Sequence, residues 1–233
     1  MSRDRVLAWA PWLLVGAFGL LVVVPPTRDL AYRLQLENSV IEWLTFLLLF
    51  LGGVFALRAV ARTAGLARTM LLLGGLAFLV AAGEEIAWGQ YLLGGPISEE
   101  WAAANRQGET TLHNLGPLQG KSELLYLVGT LCGLLAARPA LRTRLGPAAT
   151  ASRLVPGLVL VGGFALAEIV LEFVPPPRAV VEGMRMLDEP VELVIGYLAF
   201  LWALTAFARV HGLAGGAQGP GDRGEAKSRG PAA

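Results

Sequence analysis

Six apolar runs, each near the length of a membrane-crossing helix, divide this 233-residue chain. They are Val6–Val24, Val40–Val60, Met70–Leu92, Ser122–Ala137, Leu154–Val174 and Val191–Val210. A bilayer core of ~30 Å is crossed by about 20 helical residues. A lipid-immersed span must satisfy its own backbone N–H and C=O groups, and a single segment of this length does so only as a helix. The expected fold is all-α: a polytopic membrane helix bundle of about six transmembrane helices. Charged residues make up 16%, where a soluble domain carries about 25%. That deficit excludes a disordered chain, a disulfide scaffold and an ordinary soluble enzyme. The lone Cys132 lies inside an apolar run and excludes an intrachain disulfide or a cysteine-based metal site. A formal charge of +1 offers no footprint for nucleic acid. The partner called for is the lipid bilayer.

The first run follows Arg3 and Arg5, as a signal peptide would. It is long for a signal sequence, however, and Pro25-Pro26 follows with no small-x-small cleavage site, so an uncleaved anchor is expected. Glu84 and Glu85 interrupt the third run, but Ile86, Ala87, Trp88, Tyr91 and Leu92 continue its apolar content, which predicts one unbroken helix. With the N-terminus inside, thirteen of the 19 basic residues fall on the cytoplasmic side. The two cytoplasmic loops hold Arg58, Arg62, Arg68, Arg138, Arg142, Arg144 and Arg153 and no acid. The positive-inside rule then gives N-in, C-in, in a multi-pass protein of the cell inner membrane. Residues 1–211 form the bundle, and 212–233, rich in Gly, Ala and Pro, read as a disordered cytoplasmic tail. Glycine pairs at Gly52-Gly53, Gly74-Gly75 and Gly162-Gly163 allow close helix approach.

The same orientation sorts the acids unevenly. Of 18, only Asp4, Asp222 and Glu225 fall inside. Glu85 lies ~22 Å along the third run from Met70, and Glu168 ~21 Å along the fifth from Leu154, both in the outer third of the core. Glu172 follows Glu168 by four residues, on the same helix face. Glu42 and Glu192 stand near the outer starts of their spans. These acids, with Glu84, are expected to share one depth band. Two have local explanations. Ser39-Val40-Ile41-Glu42 is a capping-box pattern, and Glu189-Pro190-Val191-Glu192 puts acids where a helix dipole favours them. Glu84, Glu85, Glu168 and Glu172 come late in outward-running helices, where the dipole disfavours acids. An acid in a membrane costs roughly 2.5–3.5 kcal/mol at mid-span and less off-centre. Such groups face an interior, a water cavity or a partner; outer-loop arginines Arg106, Arg178 and Arg185 offer structural pairing.

The third and fourth runs are joined by Gly94–Lys121, a long loop. Within it, Glu109 and His113 are four apart and share a face if helical. A carboxylate and an imidazole so spaced can hold a divalent metal or orient a general base. Asn105, Gln107, Thr110, Thr111 and Asn114 suit a folded polar cap. Leu112, Leu115 and Leu118 give that cap something to bury. The loop is expected to fold back over the bundle, bringing His113 beside the glutamates.

Glu84-Glu85-Ile86-Ala87-Trp88-Gly89-Gln90, followed by Asn105-Arg106-Gln107-Gly108-Glu109 and Leu112-His113-Asn114, resembles a pairing found in uncharacterised polytopic bacterial membrane proteins. Ser39-Val40-Ile41-Glu42-Trp43-Leu44-Thr45 resembles the start of their second span. Glu84-Glu85 is also distantly similar to the Glu-Glu-x-x-x-Arg opening of CAAX-type intramembrane glutamic proteases. Here, though, Gly89 stands where those carry arginine, and their later histidine motifs are missing. That analogy implies catalytic roles for Glu84 and Glu85 alone.

The leading functional expectation is a metal-dependent, hydrolase-like membrane enzyme working at the outer face. Glu84, Glu85, His113 and Glu168 would be catalytic. Glu85, Glu109, His113, Glu168 and Glu172 would be metal ligands. Carboxylates with one imidazole suit Zn, Mn, Mg or Fe. A lipid-linked or peptide bond near the headgroups is the matching substrate. The competing expectations are a proton- or cation-coupled transporter or channel, and a non-catalytic membrane subunit with structurally paired acids.

Overall fold

The structure is a computed structural model and describes residues 2–36, 39–93, 101, 105, 110–112, 121–174 and 176–213. Every element among them is helical. The long helices are α1 (Arg3–Val23), α3 (Val40–Val60), α4 (Gly65–Glu85), α6 (Ser122–Ala136), α8 (Val155–Phe173) and α10 (Asp188–Val210). The shorter ones are α2 (Arg28–Arg33), α5 (Gln90–Leu93), α7 (Pro139–Leu145) and α9 (Arg178–Arg185). The cap residues Glu109 and His113, and the tail expected from residue 212 beyond Leu213, lie outside the described residues.

Five helices are long and apolar enough to cross a membrane, and a sixth crossing exists if α6 and the segment to Ala148 count as one bent span. The bend there is 91°. Its cause is local: a residue before proline is pushed out of the helical region, and Arg138, before Pro139, is extended at ψ 135°. Large apolar side chains such as Leu13, Leu73, Leu125 and Leu166 stand outward, more than half exposed. An outer surface of this kind is solvated by lipid. The chain is thus an all-α, multi-pass membrane protein.

α3 lies at the centre of the larger group, with α10 on one side and α4 on the other; α6 pairs with α8, and α8 with α1. The adjacent glycines of α3 serve one neighbour each. A Cβ on Gly52 would come within 3.2 Å of the α10 backbone at Ala199 and Phe200, and one on Gly53 within 3.0 Å of the Gly75 carbonyl of α4. Ala56 on α3 and Ala203 and Ala206 on α10 are fully buried. Small side chains let lipid-immersed helices gain dispersion contact where no hydrophobic drive separates them from lipid. Of the other paired glycines, Gly162 abuts Thr130 of α6, whereas Gly163 has open space beside it.

Two expected boundaries are corrected. The third span begins at Gly65 rather than Met70 and ends at Glu85 rather than Leu92. Glu85 is therefore the last residue of α4, ~30 Å from its start and at its C-terminal end rather than a turn or more before it. The chain breaks there because Ala87 (φ 45°), Trp88 (φ 53°) and Gly89 (φ 86°) all take left-handed backbone. The sixth span starts at Asp188, taking Asp188 and Glu189 into its first turn.

The bundle has an acidic and a basic face. Glu42, Glu85 and Glu192 meet at one, and Asp4, Arg153 and Thr205 at the other.

Candidate functional site: the acidic face

The site begins with the broken end of α4. Left-handed backbone costs a non-glycine residue roughly 1–2 kcal/mol, and Ala87 and Trp88 both adopt it. The hydrogen bonds around the break offset that cost. The Trp88 indole N–H donates to the Glu84 carboxylate, and the Trp88 ring closes over Gly83, where a Cβ would approach it to 2.9 Å. The other Glu84 oxygen accepts from the backbone N–H of Leu112 at 2.7 Å. The Thr110 N–H donates to Gln90 Oε1 at 2.9 Å, and the Thr110 hydroxyl donates to the Ala87 carbonyl. The described part of the long loop is therefore tied to the turn that follows Glu85. Asn105 reinforces it: buried, it donates from Nδ2 to the Thr111 carbonyl at 3.0 Å. The two motif stretches noted in the sequence, around Glu84–Gln90 and around Asn105–Leu112, are joined by these bonds.

Beside this turn stands a layer of carboxylates. Glu85 lies within electrostatic reach of Glu192, Glu189, Glu42 and Glu84. Glu192 accepts a 2.5 Å hydrogen bond from the Tyr126 hydroxyl of α6. On its other side Glu192 is within reach of Glu168 and Asp188, which contact each other carboxyl to carboxyl. Glu123 and Glu172 flank Glu168. Glu192 is thus common to two groups: one around Glu85 between α3, α4 and α10, the other around Glu168 between α8 and α10. Glu42 also fulfils its capping role, since Ser39 Oγ accepts from the Glu42 N–H and the Glu42 carboxylate accepts from the Ser39 N–H, each at 3.3 Å.

Carboxylates accept hydrogen bonds and, when ionised, donate none. The layer is short of donors. Asp188 Oδ1 and Glu189 Oε2 are buried without a hydrogen-bond partner among the described residues. Arg185 reaches Asp188 electrostatically. Arg178, an expected partner for these acids, instead pairs with Glu182 one turn along its own exposed helix, at 2.8 Å.

Of the residues singled out in the sequence, Glu84, Glu85, Glu168 and Glu172 stand on this face. Glu84 has both oxygens engaged by chain donors. Glu109 and His113 lie outside the described residues. No set of three or more His, Cys, Asp or Glu side chains among the described residues is spaced to hold a metal ion. Sequence reasoning gave too little weight to the start of α10. Glu189 and Glu192 read as a helix beginning, Glu192 also as a member of the acid band, and Asp188 was not singled out; the one available signal was their crowding within five residues. Tyr126 carried no signal at all, being one apolar-run residue among many. Compared with protein-family models, curated proteins and solved structures, the chain matches none.

Proposed function

We propose that the chain is a metal-dependent, hydrolase-like membrane enzyme of the cell inner membrane, with its site at the periplasmic end of the bundle. The observation that carries this reading is the gathering of carboxylates from α3, α4, α8 and α10 near two buried oxygens, Asp188 Oδ1 and Glu189 Oε2, that have no donor among the described residues. Buried carboxylates need a proton or a cation to offset their charge. The docking of Thr110 and Leu112 onto the end of α4 supports drawing on the loop, because Glu109 and His113 adjoin those residues in the sequence.

In this reading Glu85, Glu109, His113, Glu168 and Glu172 furnish the ligands, and the metal is Zn, Mn, Mg or Fe. Such a metal, when bound, polarises an oxygen of the scissile bond and activates water. Glu168, against Asp188, holds or passes a proton. Glu84 positions the loop rather than touching substrate, since Trp88 and Leu112 occupy its oxygens. The boundary position favours a lipid-linked or peptide bond presented among headgroups.

Metal analysis of protein purified without added metal tests this. Stoichiometric metal is expected, lost in Glu85→Gln and His113→Ala and kept in Glu99→Gln. A metal-free wild type that also fails to bind added metal sinks the reading. One observation favours a proton-coupled carrier instead: two carboxyls in contact, Glu168 and Asp188, share a hydrogen bond only if one carries a proton. Proton flux into liposomes that disappears in Glu168→Gln, with no metal bound, selects that alternative. Against it, Asp4 is the one acid on the basic face among the described residues, and it is bound to Arg153.

A further inference from the structure

The basic face holds a cavity of about 280 Å³ where the chain returns from α7 to α8. Arg142 and Arg209 line it, with Thr150, Ser152 and the small residues between. Its wall is fixed. Trp202 Nε1 donates to the Ala148 carbonyl at 2.8 Å, and Arg209 Nη1 donates to the carbonyls of Pro147 and Ala149 at 3.1 and 2.7 Å. The Thr150 N–H donates to the Ala136 carbonyl at 3.2 Å, and Ala148, Ala149 and Thr150 are buried. The turn Ser152–Leu154 then leads into α8.

Charge here is unbalanced. Arg142 and Arg153 both lie within electrostatic range of Arg209. The facing acid among the described residues is Asp4, engaged at 3.0 Å with Arg153 Nη1. Arg153 Nη2 donates to Thr205 at 2.9 Å, while its Nε is buried with no acceptor among the described residues. Arg209 uses only Nη1, and Arg142 makes no side-chain hydrogen bond or ion pair among the described residues. Arg142 and Arg209, each with guanidinium donors left over among the described residues, and the hydroxyl-bearing Thr150 and Ser152 line this one cavity. That donor set matches the oxygens of a phosphate group.

We propose that this cavity is a phosphate site, occupied in the membrane by the headgroup of an anionic phospholipid. α7 turns 91° from α6, an orientation that lays a short helix along a membrane boundary rather than across it. Basic pockets between spans on the positive side hold such headgroups. The site is separate from the acidic face and stands whether or not a metal is bound there.

Native mass spectrometry and thermal unfolding of the full chain in neutral detergent test it. The probes are short-chain phosphatidylglycerol, phosphatidylcholine of equal chain length, and inorganic phosphate. Phosphatidylglycerol is expected to bind and raise the unfolding temperature where phosphatidylcholine does not. Arg142→Gln weakens that binding about fivefold, and Arg144→Gln, on the same helix but outside the cavity, leaves it unchanged. Because Arg209→Gln also loosens the 147–149 wall, the judgement rests on Arg142. Inorganic phosphate binding with the same Arg142 dependence, and no gain from the lipid, upholds the phosphate site with free phosphate as its source. Equal loss in Arg142→Gln and Arg144→Gln, or no preference for the anionic lipid together with no binding of inorganic phosphate, overturns the proposal.

Discussion

At the basic face, arginine is largely used by the chain itself: Arg209 grips the Pro147 and Ala149 carbonyls, and Arg153 joins Asp4 to Thr205. At the acidic face, the charged groups crowd one another, and two of their oxygens find no donor among the described residues. Both faces lie at the ends of the same helices, so the contrast comes from chemistry. A guanidinium carries five donors on a long stem and can turn back to backbone carbonyls, which helix ends leave over in plenty. A carboxylate only accepts. Its natural partners, backbone N–H groups, are already spent inside the helices except at their starts. The donors that do reach the layer come one at a time from elsewhere, as the Trp88 indole, the Tyr126 hydroxyl and the Leu112 N–H. Much of the positive charge is thus engaged by the fold, with Arg142 and the spare donors of Arg209 left over, while the crowded negative charge is left for a proton, a cation or a ligand.

The largest test of this contrast is all-or-none. A reporter active only in the cytoplasm is expected to work when fused after Arg144, and one active only in the periplasm when fused after Gln107. Swapped signals would reverse the faces and remove the basis for an outward site. Next is Tyr126→Phe, which takes the donor from Glu192. A hydrogen bond to a charged group is worth about 2 kcal/mol, so thermal unfolding in detergent should show a loss of that order. An undiminished midpoint would mean that Glu192 has another sufficient donor.

Glu189→Gln has the opposite sign. It replaces a carboxylate that has a buried, unpartnered oxygen with a neutral amide, and is expected to stabilise the metal-free protein by about 1–2 kcal/mol. With saturating divalent cation the gain should vanish; a gain that persists would separate Glu189 from any cation. Ser39→Ala removes half of the capping box and should cost about 1 kcal/mol in the same measurement. A larger cost would tie Ser39 to the carboxylate layer and not only to its helix. Arg178→Ala is expected to change nothing measurable, its ion pair with Glu182 being exposed on both sides. A clear effect would show that Arg178, and not only Arg185, reaches the acidic face.

Local patterns were the legible ones. Apolar runs of membrane length announced the spans, because lipid solvation depends on each segment's own composition. Ser39 and Glu42 announced their capping box, because its partners are three residues apart. The break after Glu85 was missed because Ile86, Ala87 and Trp88 continue the apolar pattern, and the bonds that hold the turn come from residues 110–112. The loop's return to the bundle was expected from its leucines and polar residues; its anchoring by Glu84 and Gln90 was not.

The sequence by itself determined that this chain crosses a membrane several times as helices and that its charged residues gather towards the ends of the spans. Both follow from the cost of placing charge and bare backbone in hydrocarbon, a cost each segment meets alone. Tertiary structure decided which acids meet. Glu85 faces Glu42, Glu189 and Glu192 because α3 lies between α4 and α10 at the spacing Gly52 and Gly53 permit. Tyr126 reaches Glu192 across 66 positions of sequence because α6, paired with α8, brings its acidic-face end to the start of α10. Helix order and approach distance are properties of packed pairs, and no single segment carries them.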